Sequence, residues 1–322
     1  MLSPMDWTRI GLGCWQLGDD CWGDVTEETA NQILHEAVDS GINFFDTADV
    51  YGSGLSETRI GNFLKTTTEP LLIATKLGRF SDPGWPQNFT EQAIRQHTEA
   101  SLKRLGVEAL DLTQLHCIPK EELERGDVFE SLRKLQAEGK IKAFGASIES
   151  IEEGHICLRQ PGIASLQVIF NPLRQKPAET LLPAAHAQSV KIIVRLPLAS
   201  GALSGKYSPD QQFPANDHRN FNSDGQAFHV GETFNGLGLA KAVELAELLK
   251  ADLPEGMNLA EASLRWILDH KEVTTIIPGA SKPGQVTRNA AALKLPPLPE
   301  TTHAAWSKIY NSQAEPLIRG QL

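Results

Sequence analysis

The chain has 322 residues, 41% hydrophobic and 22% charged, a composition that supports a large core in a globular protein and contains no low-complexity block. Thirty basic against forty acidic residues leave a net charge of −10, which argues against a nucleic-acid surface and requires dedicated pockets for anionic ligands. There is no run of 18 apolar residues, and the opening MLSPMDWTRIGLG lacks the basic start and apolar stretch of a secretory signal; the expectation is a cytoplasmic protein with no membrane partner.

In chain order, strands are expected at 9–13, 42–46, 71–75, 110–115, 141–145, 164–170, 191–196 and 274–277. Helices are expected near 26–40, 56–65, 90–105, 127–138, 149–158, 179–187, 238–250, 258–269 and 283–293. Alternation of short apolar strands with amphipathic helices is the pattern of a parallel α/β sheet, and eight strands suggest closure into one domain over 1–322. Thr26 and Thr90 read as helix N-caps, while Gly41, Gly106 and Gly139 sit at helix ends. The stretch 199–237, rich in Gly, Ser, Asn, Asp and Pro with scattered aromatics, breaks the rhythm and reads as a long loop acting as a lid. Residues 296–322 read as an extra helix with a polar tail.

Cys14, Cys21, Cys117 and Cys157 form no CxxC pair, so reduced thiols are expected and no zinc site. Adjacent strand residues point to opposite faces, so a His116 facing the barrel mouth would send Cys117 toward the helices.

The most informative segment is GINFFDTADVYGSGLSETRIG, residues 41–61, where an apolar strand ends in Asp46 and is followed by Tyr51 in a Gly/Ser loop. In parallel barrels the reacting groups project from the carboxyl ends of strands. Lys76 in ATKLG and His116 in DLTQLHC occupy the same kind of position, so Asp46, Tyr51, Lys76 and His116 are expected over one mouth. Taken singly, each also has a structural reading: a turn carboxylate, a loop phenol, a solvated lysine, a satisfied histidine.

Together with LASGALSGKY at 198–207 and IPGASKPGQ at 277–285, these motifs resemble the aldo-keto reductases from about residue 9 to about 293. The resemblance implies a (β/α)8 TIM barrel that binds an extended nicotinamide cofactor and reduces aldehydes or ketones, aldoses among them, to alcohols. It makes Tyr51 the proton donor to the carbonyl oxygen, Lys76 the ammonium that tunes its acidity, Asp46 the partner of Lys76 and His116 the group that orients the carbonyl. No metal is required.

For the cofactor, Leu198, Ser200, Gly201, Leu203, Gly205 and Lys206 offer backbone amides, small side chains and one charge to a pyrophosphate. Past Gly279, a helix N-terminus near 283 is placed to meet an anion; the resemblance puts the adenosine phosphate there, with Ser281 and Lys282 suited to a 2′-phosphate and Gln285 and Asn289 on the adenine side. That favours NADPH (NADP+) over NADH. Ser147 and Gln167 match the family's positions for the nicotinamide amide, but Ile148 stands where an asparagine is usual and Arg195 where many members stack an aromatic ring. Trp15, Trp22, Phe80 and Trp85 are candidates for an apolar substrate rim, while Asp19, Asp20 and Asp49 either read sugar hydroxyls or face solvent. Two rival readings are a cofactor-sensing regulatory subunit with little turnover and a metal-dependent hydrolase using Asp46 and His116; the absence of a second histidine at ligand spacing argues against the latter.

Overall fold

A computed structural model describes residues 6–18, 22 and 25–322. Asp19, Asp20 and Cys21 and the first five residues lie outside the described residues. Eight strands run parallel in sequence order: β1 (Leu12–Gly13), β2 (Phe44–Asp46), β3 (Leu72–Leu77), β4 (Leu112–His116), β5 (Phe144–Ser147), β6 (Ile163–Ile169), β7 (Lys191–Arg195) and β8 (Thr275–Ile276). Parallel bridges Ile10–Ile276 and Gly13–Gly279 join the first segment to the last, with the Gly11 amide donating to Ile276 O at 2.8 Å. The sheet is thereby closed into the expected barrel.

The helices outside it are α1 (Glu27–Asp39), α2 (Leu55–Leu64), α3 (Glu91–Leu105), α4 (Lys120–Arg125), α5 (Asp127–Ala137), α6 (Ile151–Leu158), α7 (Leu181–Ala187), α8 (His218–Phe221), α9 (Leu239–Lys250), α10 (Leu259–Leu268), α11 (Gln285–Ala291) and α12 (Glu300–Ile309). Thr26 accepts from the Thr29 amide and Thr90 from the Ala93 amide, so both threonines cap as expected. The helix expected from 149 starts at Ile151 because Ser150 and Glu153 form a capping box. The sequence reading lacked α4 and α8, both short and polar.

Strand alternation divides the core in two. Phe44 points inward to a barrel-interior cluster with Leu72, Leu112, Ile193 and Ile277, while Phe45 points out to the larger cluster under the helices. Trp7 stacks on Phe44 with centroids 4.5 Å apart, and is buried within the interior cluster. Trp7 thus fills the barrel end opposite the mouth.

The stretch 199–237 holds only single turns of helix, and several ties fix it. Ser200 Oγ donates to Glu232 O and accepts from the Phe234 amide, both at 3.1 Å. The C-terminal tail adds a clasp: Arg319 donates to Gly236 O at 2.9 Å, Ser223 O at 3.1 Å and Asp224 Oδ1 at 2.6 Å.

Candidate active site

Four strand ends converge at the mouth. Lys76, on β3 and fully buried, has three acceptors for its three ammonium protons: Asp46 Oδ1 at 2.5 Å, Thr47 O at 2.8 Å and Tyr51 Oη at 3.4 Å. Asp46 Oδ2 accepts from Gln167 Nε2 at 2.7 Å and Gln114 Nε2 at 3.0 Å. Every strong polar atom of the Asp46–Lys76 pair is therefore matched, which is what a buried ion pair needs to persist.

Gly52 and Ser53 both take positive φ values, 58° and 53°, and this tight turn places Tyr51 against Lys76. A Cβ on Gly52 would lie 1.6 Å from Gly18 O, so only glycine permits the approach. Burial pushes the Tyr51 phenol up to about 12; the Lys76 ammonium opposes this, and Asp46 and Glu232 reinforce it. The expectation that Lys76 brings the phenol toward neutrality is thus met only in direction, because burial wins. His116 stands edge-on to Tyr51, with ring centroids 5.8 Å apart. Burial, followed by Arg79 and Lys76, holds its pKa well below the usual imidazole range, so the ring is neutral.

Cys117 does not point toward the helices. Its φ of +50° ends the strand alternation and turns the thiol back to the mouth, 3.4 Å from Ser147 Oγ and 3.6 Å from Arg195 Nη2. Burial pushes this thiol up to about 11, which keeps it protonated and a poor nucleophile.

Two hollows meet at Tyr51 and His116. The first, a groove of about 470 Å³, runs from Tyr51, Ser147, Gln167 and Arg195 past Leu198, Ser200, Gly201 and Lys206, and reaches Gly279, Ser281, Lys282 and Gln285. Trp15 and Trp22 also line it. Leu203 does not: it is buried in the outer core. Neither Gly205, whose carbonyl accepts from Lys250, nor Asn289 lines the groove.

Three local details alter the expected cofactor contacts. Gln167 spends its amide nitrogen on Asp46 and Gln114, leaving Oε1 beside Ser147 Oγ at 3.5 Å. Gln285 Oε1 accepts from the Ser281 and Lys282 amides at 2.7 and 3.1 Å, so it organises that loop. The head of α11 is already occupied by a carboxylate, since Glu36 accepts from the Gly284 amide at 2.7 Å and the Thr287 amide at 2.9 Å. Two amides of the helix N-terminus expected to meet a phosphate are thus already satisfied, while Ser281 and Lys282 line the groove.

The second hollow, of about 630 Å³, has Trp15, Phe80, Trp85 and Phe228 on one side and Arg79, Glu149, His229 and Glu232 on the other. Arg79 Nη2 lies 3.1 Å from Glu149 Oε1 and 3.0 Å from Glu232 Oε1, and Arg195 Nη1 lies 3.4 Å from Glu232 Oε2. Arg195 Nη2 also donates to Ile148 O at 3.2 Å. Arg79 and Glu149 follow strand ends, so the rule that found Lys76 and His116 applied to them as well; Gln114 lies within β4, and Glu232 arrives from the lid without a local signal. Asp49 lines neither hollow. It is fully buried, 3.5 Å from His97 Nδ1, and burial followed by Glu57 raises its pKa well above the carboxylate range.

The lid crosses the groove on aromatic contacts. His218 sits 4.9 Å from the Trp15 ring and 4.2 Å from the Trp22 ring, and Arg219 lies over Trp22 and Phe213 at 4.8 and 4.2 Å. No helix among the described residues is long and apolar enough to cross a membrane.

Comparison with known proteins agrees with this geometry. The model of the Aldo/keto reductase family matches residues 9–311. Aldo-keto reductase YhdN of Bacillus subtilis is 30% identical over 290 residues, covering 87% of this chain and 83% of that protein. The NADH-specific methylglyoxal reductase of Escherichia coli is 27% identical over 307 residues, covering 89% and 90%. Among solved structures, the holo form of aldo-keto reductase AKR11C1 from Bacillus halodurans superposes with a TM-score of 0.77 at 27% identity, over 95% of this chain and 93% of that one.

Proposed function

The chain belongs to the aldo/keto reductase family, and from that premise we propose that it is an NADPH-dependent carbonyl reductase in which Tyr51 is the general acid. The family places it among oxidoreductases that act on carbonyl groups. The single observation that carries the finer reading is the buried sequence of contacts from Asp46 through Lys76 to Tyr51 Oη, at 2.5 and 3.4 Å, opening on the junction of the two hollows.

A nicotinamide cofactor fits the first groove on the chemistry of its lining. The amide-reading end has Ser147 Oγ and Gln167 Oε1 side by side, and the far end has Ser281 with the exposed Lys206 and Lys282. Neither lysine has an ion pair among the described residues, so both are available to phosphate in a protein that is otherwise acidic. Ser281 and Lys282 favour NADPH, although the E. coli relative is NADH-specific by name. The bound cofactor supplies hydride to the carbonyl carbon.

The protein's own groups supply the rest. The carbonyl oxygen is seated between Tyr51 and His116; as negative charge develops there, Tyr51 gives up its proton and Lys76 stabilises the phenolate left behind. Lys76 is held in place by Asp46 and Thr47 O, and Asp46 by the two glutamines, so the ammonium does not need to reorganise during the reaction. Neutral His116 can donate a hydrogen bond to the oxygen without carrying a competing charge. Trp15 and the lid close the groove and limit access of water. Burial keeps the proton on Tyr51 at neutral pH, so the acid form is the one that meets the carbonyl oxygen.

The test is Tyr51→Phe, assayed by NADPH fluorescence and by aldehyde-dependent oxidation of NADPH. The variant should bind NADPH within about twofold of wild type and lose about a thousandfold or more in kcat/KM. Wild-type turnover in the variant would sink the mechanism, and binding without turnover in the wild type would favour the sensor reading.

A further inference from the structure

The lid gives Ala227, Phe228, His229 and Glu232 to the second hollow, and these are held in different ways. Glu232 is paired with the barrel rim, its carboxylate 3.0 Å from Arg79 and 3.4 Å from Arg195. Asn235, three residues on, exchanges two hydrogen bonds with Asn171 just past β6, at 2.8 and 3.1 Å, both side chains being fully buried. Residues 223–230 have no such root. Asn222 folds them into a compact loop: its Oδ1 accepts from the Ala227 and Phe228 amides, both at 2.9 Å, and its Nδ2 donates to Thr233 Oγ1 at 3.0 Å. Among the described residues, the only hydrogen bonds joining 223–230 to chain outside the lid are those of Arg319.

That one guanidinium closes both ends of the loop. At the start, Arg319 Nη2 donates to Ser223 O at 3.1 Å and Nη1 to Asp224 Oδ1 at 2.6 Å; beyond the end, Nε donates to Gly236 O at 2.9 Å. The backbones approach closely at two points. A Cβ on Gly236 would lie 2.5 Å from Arg319 O, and one on Gly320 would lie 2.7 Å from His229 Nε2; both glycines have positive φ, 80° and 86°. The tail that carries Arg319 is itself fixed. Trp306 and Tyr310 are buried at its root, Trp306 Nε1 donating to Leu249 O at 3.1 Å and Tyr310 Oη accepting from the Lys176 amide at 3.2 Å. Farther on, Arg174 Nη2 bridges Gln321 O at 2.8 Å and Glu149 O at 3.1 Å. No residue of this tail lines the second hollow, so any effect it has there passes through the loop.

Phe228 is the side chain that the loop presents to the aromatic wall. Its ring lies 6.0 Å from Trp15, which in turn stacks on Tyr51 at 5.9 Å, so Phe228 stands one ring farther from the phenol. We propose that Arg319 is a positioning residue for the substrate: by closing the 223–236 loop from outside it sets Phe228 in the wall, and with it the fit of a carbonyl compound whose body extends past Trp15. The assignment rests on the carbonyl-reductase reading above and adds a specificity determinant that touches neither substrate nor cofactor. The Arg319 side chain is 45% exposed, so its loss frees the loop without opening the core. Tyr51, Lys76 and His116 keep their places at the barrel rim, and no residue of 223–230 lines the first groove. Chemistry and NADPH binding therefore persist in its absence, while an extended substrate loses part of its seat.

The experiment compares propanal with 4-phenylbenzaldehyde in the wild-type protein and in Arg319→Ala, at saturating NADPH. For 4-phenylbenzaldehyde, KM should rise about fivefold to tenfold with kcat within about twofold, as expected for one lost aromatic contact; for propanal both constants should stay within about twofold. The NADPH affinity should likewise stay within about twofold, and hydrogen exchange should quicken in peptides covering 223–230 while those covering β3 and β4 are unchanged. An unchanged KM for the larger aldehyde, equal losses for both aldehydes, or a wild-type protein that reduces propanal and refuses 4-phenylbenzaldehyde would each overturn the proposal, because general damage does not discriminate by substrate size. If Arg319→Ala does not fold, Gly320→Ala presses on His229 from the tail side and should show the same dependence on size; its absence counts against the proposal. If the wild-type protein reduces neither aldehyde, the reductase reading fails by itself, and calorimetric binding of 4-phenylbenzyl alcohol to the NADPH complex judges the seat without turnover. Weaker binding to Arg319→Ala than to the wild type keeps the positioning role, and equal binding removes it.

Discussion

Glu36 and Thr287 are joined twice: one carboxylate oxygen accepts from the Thr287 amide at 2.9 Å and from its hydroxyl at 2.6 Å. With the bond from Gly284, the carboxylate of α1 caps α11, a helix whose preceding glycine offers no side-chain cap of its own. Replacing Glu36 by Gln should cost about 1 kcal/mol of stability, a loss of about 2 °C in Tm for a chain this long. NADPH affinity should not fall, since the phosphate is assigned to side chains one turn earlier. Thermal melts and NADPH titration of the variant check both halves; a tenfold weaker NADPH complex would mean that the helix terminus does serve the cofactor.

The complementary change is Lys282→Glu. A reversed charge beside Ser281 should raise the KM for NADPH about tenfold or more through repulsion of the 2′-phosphate, and should leave the KM for NADH within about threefold. Steady-state kinetics with both cofactors give the ratio directly. Parallel losses for NADH and NADPH would remove Lys282 from any role in the preference.

The pH profile follows from two directions. Burial holds Tyr51 up at about 12, and burial with Arg79 and Lys76 holds His116 well below the usual imidazole range. A phenol that must be protonated to act keeps its proton until pH passes that raised value, and a depressed imidazole is already neutral at neutral pH. The kcat for reduction should therefore be flat from about pH 6 to 9. A group titrating near 7 in that profile would point to His116 as the acid.

The fold and the four converging residues were legible in the sequence because both depend on local pattern. Period-two apolar runs, threonine caps and polar groups at strand ends are written within a few residues of each site. What was not legible depends on distant chain or on backbone sign. Cys117 reverses its face through one positive φ, Glu36 reaches α11 from 248 residues away, and Glu232 enters the mouth only because Ser200 and Arg319 tie down the lid. Arg79 and Glu149 were within reach of the strand-end rule, yet their pairing emerges only when Glu232 and Arg195 are found beside them.

The Asp46–Lys76 pair allows structural and catalytic roles to be separated. Lys76→Met leaves Asp46 buried without its cation and should cost about 3 kcal/mol or more in stability, together with at least about a hundredfold in kcat. Adding Asp46→Asn removes the orphaned charge while still accepting from Gln114 and Gln167. The double variant should regain much of the stability and none of the rate. Urea denaturation and single-turnover kinetics on the two variants decide it, and recovery of rate with stability would make Lys76 a packing residue only.

Asp49 supplies a prediction of unusual sign. It is fully buried, its nearest cationic candidate is His97 at 3.5 Å, and neither carboxylate oxygen has a hydrogen-bond partner among the described residues. His97 gives little charge compensation, since burial and Arg104 lower its pKa. The folded-state pKa of Asp49 is raised, mainly by burial and then by Glu57, so its contribution is most favourable below the unfolded value of about 4 and is lost as pH rises toward the folded one, at about 1.4 kcal/mol per pH unit. Asp49→Asn carries no such penalty and lines neither hollow. The variant should therefore gain stability over wild type as pH is raised from about 4 to 8, with turnover retained. Chemical denaturation at both pH values measures the gap; a gap that is constant or reversed would show that Asp49 is ionised and compensated in the folded protein.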